Sequence, residues 1–69
     1  MDFQKKIKMA EVCAGVSEAE LARRLGTSSQ ALGQRLKTGK FTLAELESIA
    51  AALGATLTCT FLFDDGTSV

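Results

Sequence analysis

Two helix-start motifs constrain this chain more than any other feature of its sequence. In a capping box, a Ser or Thr hydroxyl and a Glu carboxylate three residues later each accept a hydrogen bond from a free backbone N–H at the start of a helix. Apolar residues on either side of the box form a hydrophobic staple. The motif occurs as Val16, Ser17, Glu20 and Leu21 and again as Phe41, Thr42, Glu45 and Leu46. Each occurrence predicts a helix that begins directly after its hydroxyl residue.

A further helix is predicted before these two. Asp2 is a good N-cap residue, and Gly15 suits the left-handed position that follows the last residue of a helix. Between them, apolar residues recur at helical spacing and predict a buried stripe. The residues expected in this stripe are Phe3, Ile7, Ala10, Val12, Cys13 and Ala14.

The second, third and fourth helices are expected to be short. Gly26 is expected to stop the second directly after Leu25, and the third is predicted over residues 29–37 with Thr27 or Ser28 as its N-cap. The fourth is predicted over residues 43–53. Its expected inward-facing residues are Leu43, Leu46, Ile49, Ala50 and Leu53. The fold class is therefore expected to be mainly α, with four helices.

The C-terminal segment, residues 55–69, has a different pattern. Apolar residues alternate with threonines, which predicts a β-strand with one apolar face. Asp64-Asp65-Gly66 then predicts a turn, and residues 67–69 form too short a return strand to pair with all of the first. An unpaired edge favours antiparallel pairing with the same strand of a second copy about a two-fold axis. The sequence thus predicts a homodimer whose strand contacts are Leu57, Cys59, Phe61 and Phe63.

Length and composition exclude several classes of protein. The 69 residues are expected to form one domain, with a helical part at 1–54 and a strand or hairpin at 55–69. The sequence contains no His, so no enzymatic activity, cofactor or metal site is expected. The two cysteines are distant in sequence, which favours two buried, reduced thiols in a cytoplasmic protein. Charges interrupt the apolar runs, so neither a membrane span nor a signal peptide is expected.

Charge is unevenly distributed, although the net charge is zero. Residues 21–40 contain five basic residues and no acidic one, whereas residues 41–69 contain four acidic residues and no basic one. Segregation of this kind gives one side of a molecule a positive potential and favours a nucleic-acid partner. Ordinary solvated helix surfaces are the alternative explanation.

The second and third helices meet the physical requirements of a helix-turn-helix. Ala22 is small where two helices must cross, Gly26 permits the positive φ of the turn, and Leu32 packs the third helix against the second. Gly33 either lets the backbone approach a groove closely or occupies a position that tolerates a weak helix former. Gln can bond an adenine edge, and Ser can donate or accept. The polar residues on the outer side of the third helix are Ser29, Gln30, Gln34 and Lys37.

Phosphate contacts are expected at both ends of this helix pair. The end of the third helix and the loop after it carry basic and hydroxyl side chains. The second helix begins with a hydroxyl beside free backbone N–H groups. The candidates for phosphate contacts are Ser17, Arg35, Lys37, Thr38 and Lys40. Arg23 and Arg24 are explained as well by solvation as by contacts to DNA.

Residues 7–54 resemble the Xre-type, phage-repressor-like helix-turn-helix domain. The residues that carry the resemblance are Glu20-Leu21-Ala22, Leu25-Gly26-Thr27, Leu32, Gly39, Glu45-Leu46, Ile49-Ala50 and Ala52-Leu53-Gly54. It implies a transcriptional regulator that binds a pseudo-palindromic operator in double-stranded DNA as a homodimer, with the third helix in the major groove. The base-reading residues that it implies are Ser28, Ser29, Gln30 and Gln34.

The sequence departs from the family at two places, and it leaves a second function open. Arg35 stands where the family commonly has an aliphatic residue, and Lys37-Thr38 stands where it often has Glu-Asn. The alternative function is a protein-docking module that uses the same fold without specific DNA binding. The two functions differ in salt dependence, because counterion release weakens DNA binding steeply as salt rises.

Overall fold

The computed structural model of the protein describes residues 2–69, and these residues form four helices joined by short turns. The mainly helical fold is therefore confirmed, and the helix bounds lie within one residue of those predicted. None of the helices in this range has the length and apolar character needed to cross a membrane. The helices are α1 (Phe3–Ala14), α2 (Glu18–Arg24), α3 (Ser29–Thr38) and α4 (Leu43–Ala52).

Every helix begins at a residue whose side-chain oxygen accepts a hydrogen bond from the backbone N–H three positions later. This bond satisfies one of the free N–H groups at the helix start, so local chemistry sets where each helix begins. The four N-cap residues are Asp2, Ser17, Ser28 and Thr42. The third helix thus uses Ser28, not Thr27, as its cap.

Only the second of the two predicted capping boxes is complete. The Thr42 backbone N–H donates to Glu45 Oε1 at 2.9 Å, as the motif requires. The carboxylate of Glu20 instead accepts hydrogen bonds from Arg23, at 2.8 Å from Nε, and from Arg24. The bond from Arg23 is the main reason that the pKa of Glu20 is lowered to about 2. The first box is therefore only half formed, because its carboxylate has charged partners.

A tight turn connects α2 to α3. Gly26 has a φ of 75°, a left-handed conformation that costs glycine little and other residues more. The Thr27 N–H donates to the Ala22 carbonyl at 2.9 Å, which closes the end of α2. Ala22 is itself buried, as expected for a small residue at a helix crossing. The turn positions α3 across α2.

The core contains residues from all four helices and from the turn after α4. Leu21 and Leu36 are its largest fully buried side chains, and they lie on the two helices of the helix-turn-helix. Burial of apolar surface stabilises the fold by about 25 cal/mol per Å². The buried apolar residues are Ile7, Leu21, Ala22, Leu32, Leu36, Ile49 and Leu53.

Four residues predicted to face inward, Val12, Cys13, Ala14 and Leu43, are exposed, and both cysteines are free and exposed rather than buried. Val12 is 81% exposed and Leu43 is 57% exposed. A helix turns by about 100° per residue, so Val12 and Cys13 lie on the side of α1 away from buried Ile7. Leu43 is likewise six residues from buried Ile49 on α4.

The β-strand predicted in the C-terminal segment is absent from the single chain over the range described. Residues 61–69 form a small hairpin with one antiparallel bridge, between Leu62 and Ser68. Phe61 and Val69 exchange backbone bonds of 2.7 and 2.9 Å around the predicted turn. Residues 56–60 have no backbone hydrogen bond within residues 2–69. A strand requires a neighbour along its length, and the return segment is too short to provide one.

A buried carboxylate lies on the inner side of α1. Glu11 is 8% exposed, and its Oε2 has no hydrogen-bond partner among the described residues. Burial is the main cause that raises the pKa of Glu11 above its ordinary value of 4.5, and Glu18 adds to the rise while Lys8 opposes it. Folding therefore favours the protonated form. The contribution of Glu11 to the free energy of unfolding is greatest below pH 4.5 and is lost as pH rises through the raised pKa.

Glu11→Gln is expected to raise the melting temperature at neutral pH by a few degrees, because the buried group is then uncharged. The gain should shrink as pH falls towards 4.5, where the wild-type carboxyl takes up a proton. Thermal unfolding followed by circular dichroism between pH 4 and 8 measures both effects. Glu47→Gln, at an exposed position on α4, is the matched control and should change little. A lower melting temperature for Glu11→Gln at neutral pH would contradict the expectation.

Candidate nucleic-acid interface

The outer side of α3 carries three polar side chains in one row. Gln30, Gln34 and Lys37 are exposed and lie at helical spacings of four and three residues. Such spacing places them on one face, opposite buried Leu32 and Leu36. Within residues 2–69, no hydrogen bond or ion pair engages any of the three side chains. We call these three residues the α3 row, and they are available to a partner.

The two serines of the predicted site lie at the start of α3. Ser28 Oγ accepts a hydrogen bond from the Ala31 N–H at 3.1 Å, so its oxygen serves as the helix cap. Its hydroxyl hydrogen can still donate elsewhere. Ser29, the first residue of the helix, is exposed. Both serines therefore lie at the N-terminal end of α3, next to the turn from α2.

Gly33 lies at the edge of the α3 row, three residues after Gln30 and four before Lys37, on the side nearest α2. A Cβ atom at this position would be 3.8 Å from Glu18 Oε2, an ordinary van der Waals distance. The residue therefore lies beside the first turn of α2. Its side is half-buried and has room for a methyl group.

Gly33→Ala is expected to stabilise the protein by up to about 1 kcal/mol, because alanine is the better helix former. In a domain of this size, that corresponds to a rise in melting temperature of about 4–8 °C. Gly39→Ala is the matched control and should destabilise, since Gly39 has a φ of 66°. A fall in the melting temperature of Gly33→Ala would show that the gap to Glu18 is too small for a methyl group.

Arg35 is held against α4. Its guanidinium forms an ion pair with Glu45 and lies 5.4 Å from the centroid of the Phe41 ring. The same carboxylate completes the capping box of α4, and its pKa is lowered mainly by the hydrogen bond from the Thr42 backbone. Arg35 thus links α3 to α4, and a phosphate contact by Arg35 would require it to leave Glu45.

The other predicted phosphate residues differ in how far their side chains are engaged. Thr38 Oγ1 donates to the Arg35 carbonyl at 2.7 Å, inside the last turn of α3. Ser17 Oγ caps α2 at 3.1 Å from the Glu20 N–H. Lys40 is exposed in the loop after α3, and neither it nor Lys37 has an ion-pair partner in the described part of the chain. Lys37, in the α3 row, and Lys40, in the loop after it, are thus cations without an ion-pair partner within residues 2–69.

Arg24 has a structural contact that local sequence patterns do not reveal. Its Nη1 donates to the Ala52 carbonyl at 2.8 Å, across 28 residues of sequence, at the C-terminal end of α4. A cation at a helix C-terminus satisfies free carbonyls and the helix dipole. Arg23 is bonded to Glu20 within α2. Both side chains are therefore occupied by contacts inside the domain.

Among residues 2–69, no group of three or more His, Cys, Asp or Glu side chains converges in a way that could hold a metal ion. What the helix pair offers is instead a row of amides with nearby ammonium groups.

Comparisons of the chain with protein-family models, curated proteins and solved structures found no match.

Proposed function

We propose that this protein is a sequence-specific, DNA-binding transcriptional regulator of the Xre type that acts as a homodimer. The observation that carries the proposal is the α3 row, Gln30, Gln34 and Lys37, exposed and unbonded opposite the buried side of the helix. An α-helix fits the major groove of B-DNA and presents one side to the base edges. The row would then face the bases.

The side-chain chemistry of this row suits base reading. A glutamine amide carries a donor and an acceptor, which together match the N6 and N7 atoms of adenine. Ser28 and Ser29 would add hydroxyl contacts at the start of α3, the end that reaches base edges in helix-turn-helix proteins. Lys37 ends the row and would contact phosphate or a guanine.

Electrostatic attraction to phosphates should be modest. Three of the five basic residues in 21–40 are engaged within the domain, which leaves Lys37 and Lys40 for phosphates. Each neutralised phosphate contributes about 0.9 to the slope of log affinity against log salt. A dimer using both lysines on each copy should therefore have a slope of about −3.6.

Removing either lysine tests this assignment. Lys37→Ala and Lys40→Ala should each reduce the slope by about 2 per dimer, because two phosphate contacts are lost. Fluorescence anisotropy of a labelled duplex over a salt series measures the slope. Lys6→Ala, at an exposed position on α1, is the control and should leave it unchanged. Equal slopes for all three variants would place the DNA surface elsewhere.

The dimer is proposed to form through the C-terminal segment. In the single chain, Phe61 is 74% exposed and Leu62 is 76% exposed. Exposed apolar residues beside unpaired backbone form a surface that another strand covers well. The same surface also favours the alternative function, a docking module without specific DNA binding. Binding of such a module to its partner would respond little to salt.

A further inference from the structure

The backbone of the C-terminal segment has one edge that its own hairpin leaves open. Phe61 exchanges both bonds with Val69, and the Phe63 N–H donates to the Thr67 carbonyl, so these two residues point towards the return segment. Backbone groups of successive residues in a strand point to alternate edges. Leu62 and, if the segment continues as a strand, Thr60, Thr58 and Thr56 therefore direct their groups to the opposite edge.

This open edge has clear limits and carries no charge. It begins after Ala55, whose N–H is bonded to the Ala50 carbonyl at the end of α4. No Asp, Glu, Lys or Arg occurs between Glu47 and Asp64. A second copy laid along the edge therefore meets no like charge, whereas a charged partner segment would gain no ion pair. A second copy of this chain is the occupant that fits.

Two-fold symmetry and the four residues of the edge fix the register. Only one antiparallel register pairs all four with their counterparts, placing Thr56 opposite Leu62 and Thr58 opposite Thr60 of the partner. A shift by two residues would leave either Leu62 or Thr56 of each copy without a partner among these four residues, depending on its direction, and a shift by one would turn every side chain to the wrong face. The two-fold axis then passes through Cys59.

We infer that two copies of the chain pair along residues 56–62 in this register, with Cys59 opposite Cys59 at the two-fold axis. The inference rests on the homodimer of the proposed function and specifies its interface. On the same face, Leu57 of each copy lies opposite the partner's Phe61, so the pairing covers apolar groups that the single chain exposes. Residues facing each other in a non-hydrogen-bonded pair have Cα atoms about 4.5 Å apart, which a disulfide can bridge.

Oxidation of the full chain with diamide tests the interface. The reagent takes two electrons and two protons from a pair of thiols as their S–S bond forms. Cross-linked dimer is expected from the wild type and from Cys13→Ser, and it should be lost in Cys59→Ser. Both cysteines are exposed, so neither variant should impair folding. Retention of the dimer in Cys59→Ser would overturn the inference.

A mixing experiment tests the register itself. In a background of Cys13→Ser and Cys59→Ser, Leu57→Cys and Phe61→Cys are prepared as separate proteins. Each alone should form little cross-linked dimer, because like positions lie far apart across the axis, whereas the mixture should form the mixed dimer readily. Efficient cross-linking of either protein alone, or none in the mixture, would show that the register is wrong.

The DNA-binding proposal can fail separately. Enrichment of a specific DNA sequence by a chain that shows no Cys59 cross-link would overturn the interface and leave DNA binding standing. A Cys59 cross-link in a chain that enriches no sequence would support the interface and remove the regulator.

Discussion

Leu21→Ala is expected to remove most of the free energy of unfolding of the protein. Leu21 is 0% exposed and lies on the helix that packs against α1, α3 and α4. Replacement of a buried leucine by alanine costs about 2–5 kcal/mol, because it removes apolar contacts and leaves a cavity. A domain of this length is stabilised by only about 3–5 kcal/mol. Urea denaturation followed by circular dichroism measures the change.

Leu43→Ala is the matched control for this substitution. It makes the same chemical change on α4, at a position that is 57% exposed, and it should alter stability by less than about 0.5 kcal/mol. A loss of stability that is several-fold larger for Leu21→Ala than for Leu43→Ala would support the core described here. Comparable losses in both would mean that Leu43 is buried in solution, for example in an interface between copies.

Gln30→Ala and Gln34→Ala are expected to relax base preference while leaving the fold intact. Each lost bidentate contact should reduce discrimination against the wrong base by about 1–3 kcal/mol, or about 5- to 150-fold. Both side chains are exposed and make no hydrogen bond within residues 2–69 that folding would lose. Competition between the preferred duplex and its single-base variants measures the discrimination at each position.

Gln4 provides the control, since it is the one other glutamine of the sequence and lies on α1. Gln4→Ala should leave the preferred sequence unchanged. If Gln30→Ala and Gln34→Ala also leave it unchanged, the assignment of α3 as the base-reading helix is wrong. The melting temperatures of all three variants show whether any effect on DNA arises from unfolding.

The helices could be predicted from the sequence because their ends depend on local chemistry. Ser17 and Thr42 each bond an N–H three residues away, and Gly26 needs only its own positive φ. It was harder to predict which side of each helix faces the core. Val12 and Leu43 are apolar and close in sequence to buried residues, but the helical rotation turns them outward.

Contacts between distant residues could not be predicted from local patterns. Arg35 bonds Glu45 ten residues later, and Arg24 bonds a carbonyl 28 residues later. Local patterns predicted a phosphate contact for Arg35, and for Arg24 they allowed solvation and contact with DNA equally. The α3 row could be identified because it depends on one helix alone, with Gln30, Gln34 and Lys37 opposite Leu32 and Leu36.

The C-terminal segment shows the limit of prediction from a single chain. Its alternation of threonines with apolar residues is typical of a strand, but a strand exists only where a neighbour supplies hydrogen bonds. The chain supplies that neighbour only at residues 67–69, so the pairing stops at Phe61. Pairing of residues 56–60 would require a neighbour from a second molecule, as proposed above.

Selection of bound sequences from a random duplex pool tests the central claim most directly, with the affinity of the winning duplex measured at two salt concentrations. The account predicts enrichment of a two-fold symmetric site whose half-sites are about one helical turn apart, bound more weakly at higher salt. Failure to enrich any sequence, whether or not the pool is bound weakly, would contradict it.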